Sequence, residues 1–197
     1  MNNAESEEAD AWSRARDGDP DAFTSLFDVH RDRVYGHALR LVRQPHDAED
    51  VTAVVFLEAW RRRDAVRVLD GSIIAWLLVT ANNTVRNLER SKRRHRDALA
   101  RMWSESIHQP DHADGVADDL DNQERDRRVR DAFTTLSTAD QNVITLCVLE
   151  ELPLAEAARA LGVPVGTIKS RLSRAKRRLG DRALLPDPSP AFEGGAE

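Results

Sequence analysis

Apolar residues recur along most of this chain at spacings of three and four, the period of an α-helix with one buried face. Ala11–Asp17 begins one helix, and Asp19-Pro20-Asp21 is a start signal for the next. There Phe23, Leu26, Phe27, His30, Val34, Ala38, Leu41 and Val42 keep the period. A Gln44-Pro45 break leads into His46-Asp47-Ala48-Glu49-Asp50, and this acidic run suits a helix N-terminus, where the macrodipole favours negative charge. That helix continues through Val51, Val54, Val55, Leu57, Glu58, Ala59 and Trp60. Arg63–Gly71 has mixed polarity and ends in glycine, so it reads as a loop. A long helix follows from Ser72 to about Arg96, with Ile73, Trp76, Leu77, Thr80, Ala81, Thr84 and Leu88 towards the core.

The pattern changes over 98–122, where Ala98–Ile107 reads as a tail of the preceding helix. HQPDHADGVADDLDN is rich in Asp and contains a Pro and a Gly, which predicts a flexible acidic linker and a domain boundary. Periodicity then resumes in Gln123–Leu136, with Val129, Phe133 and Leu136 inward. Ser137 or Thr138 caps Ala139–Glu150, where Val143, Ile144, Leu146, Cys147 and Leu149 form a core face. In Leu152–Leu179 two short helices meet at a glycine. Leu154, Ala157, Ala158 and Leu161 mark the first, Gly162 stops it with left-handed dihedrals, and Val163-Pro164 starts the second. A short helix, a tight turn and a second helix is a helix-turn-helix.

At about 100° per residue, Val165, Ile168, Leu172, Ala175 and Leu179 share the inner side of the second helix. Gly166, Ser170, Ser173 and Arg177 lie opposite, flanked by Lys169 and Lys176 on one edge and by Thr167, Arg171, Arg174 and Arg178 on the other. Not one acidic residue interrupts Val165–Leu179. A merely solvated helix mixes signs, because opposite charges at i,i+4 stabilise it and like charges repel. One-signed charge with small polar groups between is what a major groove receives.

Net charge of −5 looks wrong for a nucleic-acid binder until it is divided along the chain. Met1–Trp60 carries about −7, Arg61–Arg101 about +7, Met102–Ala158 about −9, Arg159–Arg182 about +7 and the tail about −3. Two separate basic blocks imply two footprints on an anionic polymer. Residues 1–10, charged and poor in apolar groups, are expected to be disordered, as is 183–197 with its run of prolines and glycines. No apolar run is long enough to span a bilayer, and the acidic start is unlike a signal peptide, so a cytoplasmic protein is expected. Cys147 stands alone in an apolar run and reads as a small buried hydrophobe. His30 and His37 read as packing or solvent groups. His108 and His112 lie among carboxylates but lack the fixed spacing of a metal site, so neither metal nor cofactor is expected. No phosphate loop, H-E-x-x-H or partnered nucleophile argues for an enzyme.

Three segments carry a family resemblance. GVPVGTIKSRLSRAKRRL, after a leucine-rich helix, resembles the −35-reading end of an extracytoplasmic-function sigma factor. DAEDVTAVVFLEAWR resembles that family's polymerase-clamp-binding segment, with Ala53-Val54 where a Gln-Glu pair is common. WLLVTANNTVRNLER resembles its −10-reading segment, with Asn82 in place of the usual Arg. The order of the three, over about residues 10–182, strengthens each match.

The resemblance implies an all-α chain of two small helical domains: 11–97 (sigma region 2) and 123–182 (sigma region 4, four helices with the helix-turn-helix), joined by the linker 98–122. It implies core RNA polymerase as partner, through the β′ clamp and the β flap, together with promoter DNA and an anti-sigma factor, and no membrane insertion. By the same resemblance Asp47, Glu49, Asp50, Phe56 and Trp60 would contact polymerase. Arg67, Val68, Asn83, Arg86, Asn87, Arg90, Arg93 and Arg94 would contact the −10 element. There the amides of Asn83 and Asn87 would read an extruded base and the arginines would meet phosphates. Thr167, Lys169, Ser170, Arg171, Ser173, Arg174 and Arg177 would contact the −35 element. Asp111, Asp114, Asp118, Asp119 and Asp121 could imitate phosphates in a polymerase channel. A stand-alone helix-turn-helix regulator of duplex DNA is the alternative, but it leaves the basic, Asn-rich helix at Ala81–Arg96 without a task.

Overall fold

The computed structural model describes residues 3–42, 44–102 and 120–183, and among these there is no strand. Eight helices follow one another: α1 (Asn3–Arg16), α2 (Pro20–Leu41), α3 (Pro45–Arg61), α4 (Ile74–Met102), α5 (Leu120–Thr134), α6 (Thr138–Ile144), α7 (Leu154–Leu161) and α8 (Val165–Ala183). In the first half α2 packs against α1, α3 and α4; in the second, α8 is the helix that α5, α6 and α7 share. The all-α expectation holds.

Local chemistry sets the helix ends. Asp19 Oδ1 accepts from the N–H groups of Asp21 (2.9 Å) and Ala22 (3.1 Å), satisfying donors that the first turn of α2 cannot pair internally. Ser137 does the same for α6 through Asp140 N–H at 3.2 Å. Asp70 and Gly71 both have positive φ (48° and 83°), and Leu69 and Ser72 exchange N–H···O bonds of 2.9 Å each way. This is an Asp-Gly turn of the primed kind, which needs positive φ at both central residues. It takes up Ser72, so α4 starts at Ile74, with Ser72 Oγ accepting the Ile74 N–H at 3.2 Å.

Several expectations are corrected. Residues 3–10 are helical as the opening turns of α1, which buries its own Trp12 and Ala15 and whose Glu8 Oε1 accepts from His30 Nε2 (2.7 Å) and the Ile73 N–H (2.9 Å). α4 runs to Met102, within the helix tail expected after Ala98, and α5 opens at Leu120, three residues before the expected Gln123. The middle of the expected linker lies outside the described residues, with His108, His112, Asp111, Asp114, Asp118 and Asp119. So does the tail beyond Ala183. Val129, Leu149 and Val165, expected inside, are 46%, 43% and 46% exposed. For Leu149 the cause is a π-helical turn over Thr145–Leu149, closed by Glu150 N–H to Thr145 O at 3.0 Å. The extra residue rotates every later side chain away from the 3.6-residue pattern.

The two halves touch, and their cores meet. Ala75 of α4 is buried with Val143, Leu146, Ala157, Ala158 and Ile168 of the second half, while Phe133, Leu136 and Ile144 are buried against the first. Fully burying a Leu or Ile side chain contributes roughly 1.5–3 kcal/mol. Leu77, Leu78, Leu146 and Ile168, all 0% exposed, are therefore main anchors of α4, of the π-helical turn after α6 and of α8.

Candidate nucleic-acid interface

The long helix α4 divides lengthwise. Leu77, Leu78, Ala81, Asn82 and Val85 are buried, whereas Asn83, Arg86, Asn87, Arg90, Arg93 and Arg94 are exposed. The exposed six follow one another at intervals of three and one, so they line a single face. None of the four arginines has an ion pair among the described residues. Four like charges crowd one face, and Glu89 and Asp97 of the same helix offset them only in part, so the face keeps a net positive charge suited to an external anion. The two asparagines bring amide donors and acceptors into the same stripe.

Helix α8 repeats the arrangement. Ile168 and Ala175 are fully buried, and Leu172 and Leu179 partly so. Lys169, Ser170, Ser173, Arg174 and Arg177 are exposed, with Thr167 and Arg171 half-buried at the edges. Ser170 Oγ donates to Thr167 O at 3.1 Å, which holds that hydroxyl against the helix. Arg178 is different, since its guanidinium pairs with Asp140 of α6 at 3.2 Å and ties α8 down. Gly162 sets the angle between α7 and α8. Its φ of 66° allows Val163 N–H to reach Ala158 O (3.1 Å) and Gly162 N–H to reach Arg159 O (3.3 Å), closing the α7 carbonyl end.

The loop before α4 does not stand free. Arg67 Nη1 donates to Arg159 O at 3.1 Å, at the carbonyl end of α7, and Val68 is 38% exposed beside it. A side-chain carbon on Gly162 would lie 2.8 Å from the Arg67 guanidinium, which can swing aside, so it is the positive φ that favours glycine here.

On α3 the structure separates residues that the sequence had grouped. Asp47, expected to contact polymerase, is buried and paired with Lys92 of α4. Phe56 is 4% exposed, its ring 4.7 Å from Phe27 and 6.3 Å from Phe23. Trp60 is half-buried, 5.0 Å from Phe23, with the Arg63 guanidinium 5.2 Å from its ring. Phe56 belongs to the core, and Trp60 packs at its edge. Glu49 and Asp50 are exposed, and they continue into a stripe of Ala53, Val54 and Leu57, the last two 42% and 52% exposed. Sequence reasoning missed Val54 and Leu57. The available signal was their angular position, away from the buried side of Val51, Val55 and Ala59.

The Sigma-70 region 2 model matches residues 26–95 and the Sigma-70 region 4 model matches 126–179. The chain is 33% identical over 154 residues to the ECF RNA polymerase sigma factor SigK of Mycobacterium sp. (strain KMS), covering 78% of this chain and 79% of that one. This chain belongs to the extracytoplasmic-function sigma factors. It is an alternative sigma factor, which directs RNA polymerase to promoters. Sigma factors in general are not enzymes.

Two solved structures share the fold of this sigma factor. One is CnrH in complex with the cytosolic domain of CnrY, with a TM-score of 0.58, 22% identity, and coverage of 89% of this chain and 96% of that one. The other is the sigma factor RpoE in complex with the anti-sigma factor NepR from Bartonella quintana, with a TM-score of 0.50, 23% identity, and coverage of 84% and 98%. Among the described residues of the sigma factor no helix is long and apolar enough to cross a membrane. Nor does any group of His, Cys, Asp and Glu among them suit a metal ion.

Proposed function

We propose that the two cationic faces divide promoter reading between the halves of this sigma factor. Asn83 and Asn87 on α4 read unpaired −10 bases while Arg86, Arg90, Arg93 and Arg94 follow the backbone, with Arg67 and Val68 of the preceding loop beside them. Thr167, Lys169, Ser170, Arg171, Ser173, Arg174 and Arg177 on α8 meet the −35 element in its major groove. The observation that carries this reading is one and the same for both helices: a stripe of exposed cations and small polar groups opposite an apolar side that is largely buried.

Core polymerase, in this proposal, is held by the stripe Glu49, Asp50, Val54 and Leu57 on α3 through its β′ clamp, while the second half approaches the β flap. Trp60 contributes its half-exposed ring edge, and Asp47 and Phe56 support α3 from beneath. An anti-sigma factor is the expected regulator, as the RpoE–NepR pair illustrates for a sigma factor of the same fold. The chain performs no covalent chemistry. It works in the cytoplasm, where polymerase and DNA meet, and its binding energy goes into melted promoter DNA while polymerase transfers nucleotides.

The test is run-off transcription with purified chain and bacterial core polymerase on sheared genomic DNA of its host. Discrete transcripts that require the chain are expected. On such a promoter Asn83→Ala should leave initial duplex binding intact and reduce permanganate-reactive melting. No transcripts, together with tight binding of the chain alone to duplex DNA, would replace this reading with a stand-alone regulator.

A further inference from the structure

Helix α1 holds the loop between α3 and α4 at both of its ends. At the start, Arg63 Nε donates to the carbonyl of Arg16, the last residue of α1, at 3.0 Å, and Arg63 Nη1 donates to Trp60 O at 3.1 Å. At the finish, the Ile73 N–H donates to Glu8 Oε1 at 2.9 Å, and the same oxygen accepts from His30 Nε2 of α2 at 2.7 Å. Both anchors use backbone groups that helices leave over. The Arg16 carbonyl lies in the C-terminal turn of α1, where no internal donor follows. Ile73 caps α4, its own carbonyl accepting from Leu77 N–H at 3.1 Å, and it is 0% exposed, so its N–H depends on Glu8 rather than on water.

The spacing of the two anchors is set by a rigid element. Glu8 and Arg16 stand eight residues apart on one helix, about 12 Å at 1.5 Å per residue. Trp12 and Ala15, buried between them, keep that helix seated. The ten peptide steps from Arg63 to Ile73 could otherwise span about 33 Å. Helix α1 therefore sets how far the loop bows, and with it where Arg67 and Val68 stand relative to α4.

On the −10 reading proposed above, we propose that α1 is a strut for that loop, with Glu8 and Arg63 as positioning residues that present Arg67 and Val68 to promoter DNA. A carboxylate is repelled by phosphate, and the Glu8 side chain is only 16% exposed, so Glu8 serves the reading without touching DNA. The body of α4 is fixed by other groups. Leu77, Leu78 and Ala81 are buried, Asn82 Oδ1 accepts from His37 Nε2, and Asn82 Nδ2 donates to Asn142 Oδ1 and to Thr145 Oγ1, each at 2.9 Å. Loss of the strut thus releases the loop and the first turn of α4, while Asn83 and Asn87 keep their places further along.

The test uses the full chain with core polymerase, and its readout is the rate at which promoter bases become permanganate-reactive at saturating holoenzyme. Glu8→Ala and Arg63→Met should each slow that rate about tenfold, the cost of misplacing a contact group by roughly 1 Å or less. Glu8→Gln keeps an oxygen that accepts both bonds and should stay within about twofold of wild type. In a chain already carrying Arg67→Ala and Val68→Ala, Glu8→Ala should add less than about twofold, because the loop it positions no longer reads DNA. In an Arg174→Ala chain it should keep its full effect. A general loss of stability would instead act alike in both backgrounds. Equal effects in the two backgrounds, a wild-type rate from Glu8→Ala or Arg63→Met, or Glu8→Gln as slow as Glu8→Ala would overturn the strut alone. A wild-type rate from the Arg67→Ala, Val68→Ala chain would overturn the loop's part in −10 reading, and this inference with it.

Discussion

Removing the Asn82 amide should uncouple the two halves, and the size of the effect follows from the geometry. The residue is 1% exposed and makes three hydrogen bonds of 2.9 Å. At a net value near 1 kcal/mol each, Asn82→Ala forfeits about 3 kcal/mol. It also leaves His37 Nε2–H without a partner on a ring whose Nδ1 already has none, which raises the cost towards roughly 5 kcal/mol. Asn142→Ala removes one of the three bonds and should cost about 1–2 kcal/mol. In a double-mutant cycle the pair should therefore couple by about 1 kcal/mol. All four tryptophans (Trp12, Trp60, Trp76 and Trp103) precede the second half, which has none. Urea unfolding followed by their fluorescence reports the first half, and circular dichroism at 222 nm reports both. Asn142→Ala lies in the second half, yet it should lower the fluorescence midpoint as well. An unchanged fluorescence midpoint, or additivity within roughly 0.3–0.5 kcal/mol, would refute the coupling.

Three further outcomes are expected. Burial alone would raise the Glu8 carboxyl, but the bonds from His30 and the Ile73 N–H overrule it and hold its pKa below the ordinary 4.5. Its stabilisation is thus complete above that value and lost as pH falls through the lower folded one, so Glu8→Gln should flatten the acid limb of a Tm–pH profile below about pH 4.5. Lys92→Ala leaves the Asp47 carboxylate buried without its main partner and should cost about 1–3 kcal/mol in urea unfolding, with part of the loss restored by adding Asp47→Asn. Arg174→Ala should reduce −35-dependent transcription and lower the salt slope of promoter binding by about 1, whereas a slope equal to wild type would remove Arg174 from the phosphate contacts.

Helix existence and the identity of both cationic faces were legible in the amino-acid order. A period of 3.6 places Ile168, Leu172 and Ala175 on one side of α8 and Lys169, Ser173 and Arg177 on the other, whatever the remainder of the chain does. Capping and turn residues marked several helix ends for the same reason: Asp19 and Gly162 act on groups within a few residues of themselves. What lay beyond that reach was a matter of three dimensions. That Asp47 faces Lys92, that Phe56 is core with Trp60 at its edge, and that Val54 and Leu57 are left outside depend on which helices pack on α3, and the periodicity of α3 does not name its neighbours. The π-helical turn at Thr145 is likewise absent from any pattern that assumes a constant 3.6 residues per turn. Asn82 shows the division most directly. By sequence it is one polar residue beside Asn83 on a DNA-reading helix. By structure it is the buried junction of two halves, because its hydrogen-bond partners come from residues 45, 60 and 63 positions away.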